Sequence, residues 1–170
     1  MEEVVLVDEE NNVLGVMPKS EVHGARTPLH RGFSCFLFKN KKLLLQQRSK
    51  KKKTWPLVWS NSVCGHPAPG ESNVDAALRR LKYELGIENA NLREVAPYRY
   101  SFVRDNVMEN EICPILLGET EEDPIPNPEE VENIKWISWE DFKEEIKKHP
   151  EKYSEWCVEE ADILERYLNF

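Results

Sequence analysis

A loop followed by an amphipathic helix, at residues 61–87, constrains the fold more than any other part of this sequence. The loop reads NSVCGHPAPGES, and its glycines and prolines exclude both helix and regular strand. Asn73 is a suitable N-cap for the helix that follows, and Gly86 is a suitable C-terminal stop. Apolar residues at spacings of three and four give this helix one buried face, namely Val74, Ala77, Leu78, Leu81 and Leu85. The sequence therefore predicts a loop that presents a thiol and an imidazole, Cys64 and His66, beside the start of a helix.

Length and charge limit the classes of function. A chain of 170 residues predicts one domain over residues 1–170 with a sizeable core. A net charge of −8 argues against non-specific nucleic-acid binding, although a small anionic substrate remains compatible with it. No stretch approaches the roughly 20 apolar residues of a membrane span, and Met1–Glu3 lacks the layout of a signal peptide. Four widely spaced cysteines are expected to be free thiols, so we expect a cytoplasmic protein.

Three of the four histidines lie in segments that are able to converge. His23 and His30 flank a loop that leads into an apolar strand, and His66 lies in the central loop. Each histidine alone is more often a surface residue, but neutral imidazole is also a common metal ligand. From spacing alone both interpretations stay open.

Three glutamates are unusual in their placement. Glu84 falls in the last turn of the predicted helix, where the helix dipole disfavours a carboxylate, and this indicates another task such as metal binding. Glu109 and Glu111 are two residues apart in an apolar strand, so their carboxylates project from one face. Like charges there destabilise the strand unless a cation or solvent compensates. An exposed edge is one explanation, and a pair of metal ligands is the one we favour because Ile112 and Leu116 continue the apolar strand.

Basic residues lie just before the central loop. Lys50–Lys53 is usually the pattern of a solvated loop, but here it leads directly into Trp55–Trp59 and the Cys64 loop. Cations at the mouth of that site would suit a diphosphate. Lys19 is either a surface charge or part of the same set.

The remaining pattern predicts strands, one irregular segment and two further helices. Aromatic residues at Tyr98, Tyr100 and Phe102 have a period of two, which puts them on one face of a strand. Residues 119–130 are rich in proline and acid and predict an irregular loop. The predicted helices cover 138–149 and 154–168, and the predicted strands are Val4–Val7, Val13–Met17, Phe33–Phe38, Leu43–Arg48, Leu92–Phe102, Val107–Leu117 and Val131–Ile137.

The helix and its loop resemble the Nudix box in spacing. The matching positions are Gly65, Glu71, Arg79, Leu81, Glu84, Gly86 and Ile87. Arg80 and Tyr83 stand where that box has glutamates, which argues against the hydrolase reaction. With the motifs HGARTPLH, NSVCGHP and ENEICP, the chain resembles type 1 isopentenyl diphosphate isomerase, a Nudix-fold family that does not hydrolyse. The resemblance implies an α/β sandwich with a mixed central sheet flanked by helices.

The resemblance also implies roles for individual residues. Cys64 and Glu111 would be the catalytic acid–base pair, and a divalent cation (Mn²⁺, Mg²⁺ or Zn²⁺) would bind His23, His30, His66, Glu109 and Glu111. Glu84 would bind a second ion, Mg²⁺, that accompanies the substrate diphosphate. Substrate would contact Lys19, Arg48, Lys52, Arg80, Tyr100 and Trp156. The expected partner is this small diphosphate alone, with no nucleic acid and no membrane, on a monomeric protein.

The implied reaction is the 1,3-allylic rearrangement of isopentenyl diphosphate to dimethylallyl diphosphate. One proton is added to the alkene and another is lost two carbons away, so two acid–base groups must flank the substrate. Two alternatives stay open on the sequence: a Nudix hydrolase of nucleoside diphosphate derivatives, and a non-catalytic Nudix-fold module that keeps a metal for stability.

Overall fold

Two mixed β-sheets form the framework of the protein. The computed structural model describes residues 1–170. The strands are β1 (Glu3–Val7), β2 (Val13–Pro18), β3 (His30–Arg31), β4 (Phe33–Lys39), β5 (Lys42–Arg48), β6 (Trp59–Ser60), β7 (Val63–Gly65), β8 (Asn91–Ala96), β9 (Arg99–Arg104), β10 (Val107–Ile112), β11 (Ile115–Glu119) and β12 (Val131–Ser138). The first sheet has the order β2-β1-β3-β10-β9, and the second has the order β12-β5-β4-β11-β8, with β6 on β5 and β7 on β4. The predicted α/β class with mixed sheets is confirmed.

Four helices complete the fold: α1 (Lys19–Val22), α2 (Asn73–Leu85), α3 (Trp139–Lys148) and α4 (Glu155–Leu164). None of them has the length and hydropathy that a membrane-spanning helix requires. The predicted final helix over 154–168 is shorter than expected, because residues 165–167 form a 3-10 turn instead.

Helices cover both faces of the second sheet. Side chains alternate along β4, so that Phe33, Cys35 and Leu37 pack against α2, while Phe36 and Phe38 belong to the cluster around α3 and α4. All five are buried. This arrangement is the predicted sandwich, with the sheet between two helical layers.

The caps of α2 agree with the sequence to within one residue. Ser72, rather than Asn73, is the N-cap, and its hydroxyl accepts a hydrogen bond from the Asp75 N–H at 3.1 Å. Gly86 ends the helix in the left-handed region at φ 64°. The prediction of Asn73 as N-cap is therefore wrong by one position, since serine and asparagine are equally good caps and stand side by side here.

Two predicted strands are each divided in two by a proline. Residues 107–117 form β10 and β11, which pair with different sheets, and residues 92–102 form β8 and the first part of β9. Pro97 and Pro114 have no N–H to offer a ladder, so pairing stops beside them. The chain also passes from one sheet to the other between β3 and β4. These two strands belong to different sheets, and Gly32 lies between them. The two sheets thus meet where β3 turns into β4 and β10 turns into β11.

Candidate metal and catalytic site

Strand register at the junction of the sheets centres the site on Glu111. In the parallel pairing of β3 with β10, His30 lies opposite Glu111, and in the antiparallel pairing of β9 with β10, Tyr100 lies opposite it. The Tyr100 hydroxyl donates to Glu111 Oε2 at 3.0 Å, and His30 Nε2 is 3.4 Å from Glu111 Oε1. Backbone pairing alone therefore brings an imidazole and a phenol to one carboxylate.

The other two histidines reach the same place from loops, and Glu109 reaches it from β10. His66 Nε2 lies 2.9 Å from Glu111 Oε1, and His23 Nε2 lies 3.0 Å from Glu109 Oε2. The three imidazole rings have centroids 5.1 to 5.6 Å apart. One ligand atom from each of the three histidines and from Glu111 falls within 4.8 Å of the others. The structure thus brings together four of the five residues of the expected His/Glu set, and the fifth, Glu109, contacts this cluster through His23; we call the five residues the metal end of the site.

Hydrogen bonding and burial prepare the metal end for a cation. His30 Nδ1 donates to the Pro28 carbonyl at 2.9 Å, which leaves the lone pair of Nε2 facing the cluster, and this buried nitrogen has no hydrogen-bond partner. Burial lowers the pKa of His66 to about 4 against the opposing effect of Glu111, so the ring is neutral. Burial opposes ionisation of Glu111, but the hydrogen bond with His66 and the nearby His30 imidazole outweigh burial and hold the pKa of Glu111 well below the ordinary value. Imidazole nitrogens beside carboxylate oxygens are the donor types that fit a divalent cation.

Gly32 gives Glu111 the space it occupies. A Cβ on Gly32 would stand 2.2 Å from Glu111 Oε2 and 2.7 Å from its Cδ. The backbone of Gly32 is fixed at this approach, since its N–H donates to the Ile112 carbonyl at 2.9 Å. The carboxylate therefore packs directly on the backbone at the sheet junction, where only glycine fits.

Cys64 lies on β7, opposite Ser34 of β4. Its thiol donates to Asn61 Oδ1 at 3.1 Å, and its sulfur is 3.5 Å from Ser34 Oγ. Asn61 is itself fixed, because its amide donates to the carbonyls of Cys35 and Val63. Burial raises the pKa of Cys64 to about 12, so the residue is a protonated thiol with a fixed orientation.

One open cavity of about 570 Å³ joins the predicted catalytic and substrate residues. Cys64 and Glu111 both line it, which brings the predicted acid–base pair to one space. The other predicted residues in its wall are His23, His66, Glu109, Lys19, Arg48, Lys52, Arg80, Tyr100 and Trp156. His30 lies behind the wall with no exposed surface, and Glu84 also lies outside it.

Aromatic rings form one side of the cavity. Tyr100 stacks on Trp156 with ring centroids 5.4 Å apart and an interplanar angle of 24°. Trp55 packs edge-on against Trp156 at 5.1 Å. Trp156 is only 2% exposed, so the ring is part of the core as well as the cavity wall. Tyr100 and Trp156 both line the cavity, and the Arg48 guanidinium lies over the Trp156 ring, 5.8 Å from its centroid.

Four predicted cations, Lys19, Arg48, Lys52 and Arg80, form what we call the phosphate end. Each already has partners. Arg48 donates to the Thr54 carbonyl at 2.8 Å and so fixes the loop that carries Lys52. The other three bind carboxylates: Lys19 binds Glu2, Lys52 binds Glu130, and Arg80 binds Glu84 and Glu130.

Glu84 does not belong to the metal end. Its Oε1 accepts from Arg80 Nε at 3.0 Å, and its Oε2 accepts from Gln46 Nε2 at 2.9 Å. It is 4% exposed, so these partners compensate a nearly complete burial. Arg80 lies between the Glu84 carboxylate and the cavity. The second ion expected at Glu84 would therefore bind at the phosphate end.

Sequence reasoning missed four polar residues around the site. Ser34 and Asn61 bind the Cys64 thiol, yet on the sequence they are ordinary residues of a strand and a loop. Glu2 and Glu130 line the cavity as counter-ions of its cations, and no pattern links them to it.

Glu160 is a fifth residue that the sequence did not single out. Its side chain is fully buried and neither oxygen has a hydrogen-bond partner. Burial raises the pKa of this carboxyl well above the ordinary value, although Ser34 acts in the opposite direction. A signal was available, because Glu160 is one helical turn after the inward-facing Trp156.

Comparison with known proteins shows the family to which the chain belongs. The NUDIX domain model matches residues 28–157. An isopentenyl-diphosphate Delta-isomerase of Saccharopolyspora erythraea is 44% identical over 99% of this chain and 89% of its own length. One from Brevibacterium linens is 43% identical over 97% of this chain and 92% of its own length.

Among solved structures, a Deinococcus radiodurans protein superposes with a TM-score of 0.74 at 22% identity, covering 95% of this chain and 98% of its own. The MutT protein of Methanosarcina mazei gives 0.64 at 19% identity, over 82% of this chain and 95% of its own. At these identities the two structures show the fold alone. The sequence relatives show more, and the chain belongs to the NUDIX domain family and, within it, to the isopentenyl-diphosphate Delta-isomerases.

Proposed function

We propose that this protein isomerises isopentenyl diphosphate to dimethylallyl diphosphate, with Cys64 and Glu111 as its acid–base pair. The observation that carries the proposal is that both side chains line one cavity, at the edge of a His/Glu cluster. Membership of the isomerase family supports the reaction.

The chemistry requires one proton to enter and another to leave. Protonation of the terminal carbon of the alkene gives a tertiary carbocation, and loss of a proton two carbons away gives the internal alkene, so the formula is unchanged. Cys64 is a protonated thiol and Glu111 an ionised carboxylate, so in one direction the thiol would give a proton to the alkene and the carboxylate would take one from it. After product leaves, Glu111 would lose its proton to solvent and Cys64 would regain one, which restores both groups. Tyr100 donates to Glu111 and steadies its orientation. Which of the pair gives the first proton depends on the direction of reaction.

A divalent cation fits the metal end, where His23, His30, His66, Glu109 and Glu111 would hold it. When bound, it would stabilise the negative charge of Glu111 and relieve its repulsion by Glu109. Three imidazoles with two carboxylates form a mixed donor set, compatible with Mn²⁺, Mg²⁺ or Zn²⁺.

Aromatic faces supply the stabilisation that a carbocation needs. Tyr100 and Trp156 stack beside each other in the cavity wall. A cation over such a face is stabilised by about 2 kcal/mol when it is desolvated. The buried wall also keeps water from the allylic carbon, where solvolysis would release the diphosphate.

Lys19, Arg48, Lys52 and Arg80 would bind the diphosphate and hold the five-carbon tail against the catalytic pair. Glu84 would bind Mg²⁺ that arrives with the diphosphate, once Arg80 turns toward the ligand. We further propose a monomer that acts in the cytoplasm on this small molecule alone, without nucleic acid or membrane. The four free thiols support a reducing compartment.

The test is direct conversion. Incubation of the protein with isopentenyl diphosphate and a divalent cation should yield dimethylallyl diphosphate, measured by NMR or mass-resolved chromatography. Cys64→Ala should lose this activity, whereas Cys157→Ala, which removes a buried thiol outside the cavity, should keep it. Release of phosphate without isomer would favour a hydrolase, and full turnover by Cys64→Ala would refute the assigned pair.

A further inference from the structure

The carboxylate of Glu2 forms ion pairs with the cations at the entrance of the phosphate end. Lys19 Nζ donates to Glu2 Oε2 at 3.0 Å. Arg80 Nη1 and Arg79 Nη1 lie 3.6 and 3.7 Å from Glu2 Oε1. Burial opposes ionisation of Glu2, but the hydrogen bond from Lys19 and the charges of Lys19, Arg80 and Arg79 together hold its pKa below the ordinary value. One carboxylate thus takes contacts from three basic side chains.

The backbone of Glu2 is fixed while its carboxylate is free to move. The Lys19 N–H donates to the Glu2 carbonyl at 2.9 Å, and the next residue, Glu3, pairs with Pro18 in the β1–β2 ladder. The Glu2 side chain is nevertheless 53% exposed. A change of rotamer would therefore carry the carboxylate into solvent without breaking the ladder.

Glu130 differs in this respect. Its side chain is only 16% exposed and lies between Lys52 and Arg80, 3.2 Å from Arg80 Nη2. Glu130 therefore stays paired with the cations of the phosphate end. Glu2, in contrast, is exposed. Its partners Lys19 and Arg80 also line the cavity.

We propose that Glu2 sets the affinity for the substrate diphosphate, because its carboxylate competes with the phosphate oxygens for Lys19 and Arg80. This inference rests on the proposed function, since it takes these cations to be the diphosphate site. A diphosphate carries more charge and more acceptor oxygens than one carboxylate, so it displaces Glu2 rather than the reverse. Displacement of Glu2 from these cations costs part of the free energy of diphosphate binding. The site therefore favours ligands with at least two phosphate groups over singly charged anions.

The experiment is calorimetric titration with inorganic diphosphate at fixed Mg²⁺ and fixed salt, on the wild type, Glu2→Gln and Glu3→Gln. Glu3 is the matched control, because it carries the same charge, is exposed and forms no ion pair with Lys19, Arg79 or Arg80. Glu2→Gln should bind diphosphate about fivefold more tightly, the upper range for an exposed ion pair. Glu3→Gln should bind diphosphate like the wild type, because Glu3 forms no ion pair with these cations.

The kinetic readout separates affinity from folding. Glu2→Gln should lower KM for isopentenyl diphosphate and leave kcat within twofold, which a merely structural ion pair would not do. Unchanged or weaker binding by Glu2→Gln, or an equal gain in Glu3→Gln, would overturn the inference and leave the proposed function intact. Failure of all three proteins to bind diphosphate would instead refute the diphosphate site itself, and the inference with it.

Discussion

At the metal end, strand register and burial hold each side chain in place, whereas at the phosphate end three of the four cations already hold a carboxylate. Glu111 sits between His30 and Tyr100 because their strands are paired there, and His30 keeps a buried nitrogen without a partner. Lys19, Lys52 and Arg80 are neutralised by Glu2, Glu84 and Glu130. One end is therefore arranged so that it could hold a cation, and the other must exchange partners when a ligand binds.

The difference separates two kinds of kinetic effect. Substitutions at the metal end should lower kcat, because they change groups that act on the reacting carbons. Substitutions at the phosphate end should mainly change KM, because they change an exchange of ionic partners.

Glu111→Gln should give the largest loss at the metal end. The amide keeps the shape of the side chain but neither accepts a proton nor stabilises a cation, so turnover should fall by about 10³-fold or more. Binding of Mn²⁺, measured by calorimetry without substrate, should weaken as well. Glu144→Gln, on the exposed surface of α3, is the control and should change neither quantity. Turnover within tenfold of the wild type would contradict the role of Glu111.

Gly32→Ala tests whether backbone packing positions Glu111. The new Cβ would meet the carboxylate at 2.2 Å and force it to move, so kcat should fall by about 10²-fold, the usual cost of a displacement near 1 Å. Gly15→Ala is the matched control, because no atom lies within 4 Å of a Cβ there. Equal activity of the two variants would mean that the close approach at Gly32 has no part in catalysis.

Arg80→Lys tests the phosphate end. Lysine keeps the charge but loses the planar fork that reaches both Glu84 and Glu130, so we expect KM to rise about tenfold with kcat nearly unchanged. Arg79→Lys, the neighbouring arginine outside the cavity wall, should have a smaller effect. A fall in kcat at constant KM would place Arg80 with the metal end and break the division.

The smallest expected effect comes from Glu160 and is a change in the stability of the protein with pH. Its folded-state pKa is raised, so the unfolded chain releases the proton first, near the ordinary value of 4.5. The stabilising contribution is thus complete below that pH and falls as pH rises toward the folded-state pKa, by up to about 1.4 kcal/mol per pH unit. Glu160→Gln should remove this fall, whereas exposed Glu159→Gln should keep it. Urea unfolding of the wild type and of both variants from pH 4 to pH 8 measures the free energy of unfolding at each pH. If this free energy changes with pH by the same slope in all three proteins, the raised pKa of Glu160 is contradicted.

The sequence predicted the components of the site better than their connections. The motifs of the sequence predicted Cys64, His66 and Glu111 as site residues, and all three line one cavity in the structure. It did not reveal that Pro114 and Gly32 divide two strands between two sheets, since a proline inside an apolar run marks a break but not the partner of either half. The opposition of His30 and Glu111 depends on that long-range pairing.

Counter-charges were the other unpredictable part. Glu2 and Glu130 are far in sequence from Arg80, and nothing in their local patterns distinguishes them from solvated glutamates. Their contacts follow from the packing of β1 and of the loop before β12 beside α2. Glu160 escaped notice for a different reason, because a carboxyl in a buried helical position contradicts the pattern that defines the helix.

Deuterium incorporation tests the central claim, that Cys64 and Glu111 act on opposite ends of one allylic unit. The protein is incubated with isopentenyl diphosphate and a divalent cation in deuterated water, and the product is followed by NMR. The wild type should form dimethylallyl diphosphate with deuterium in a methyl group, and neither Cys64→Ala nor Glu111→Gln should do so. Isomer that forms without deuterium under conditions of full solvent exchange, or labelled isomer from either variant at the wild-type rate, would contradict the account.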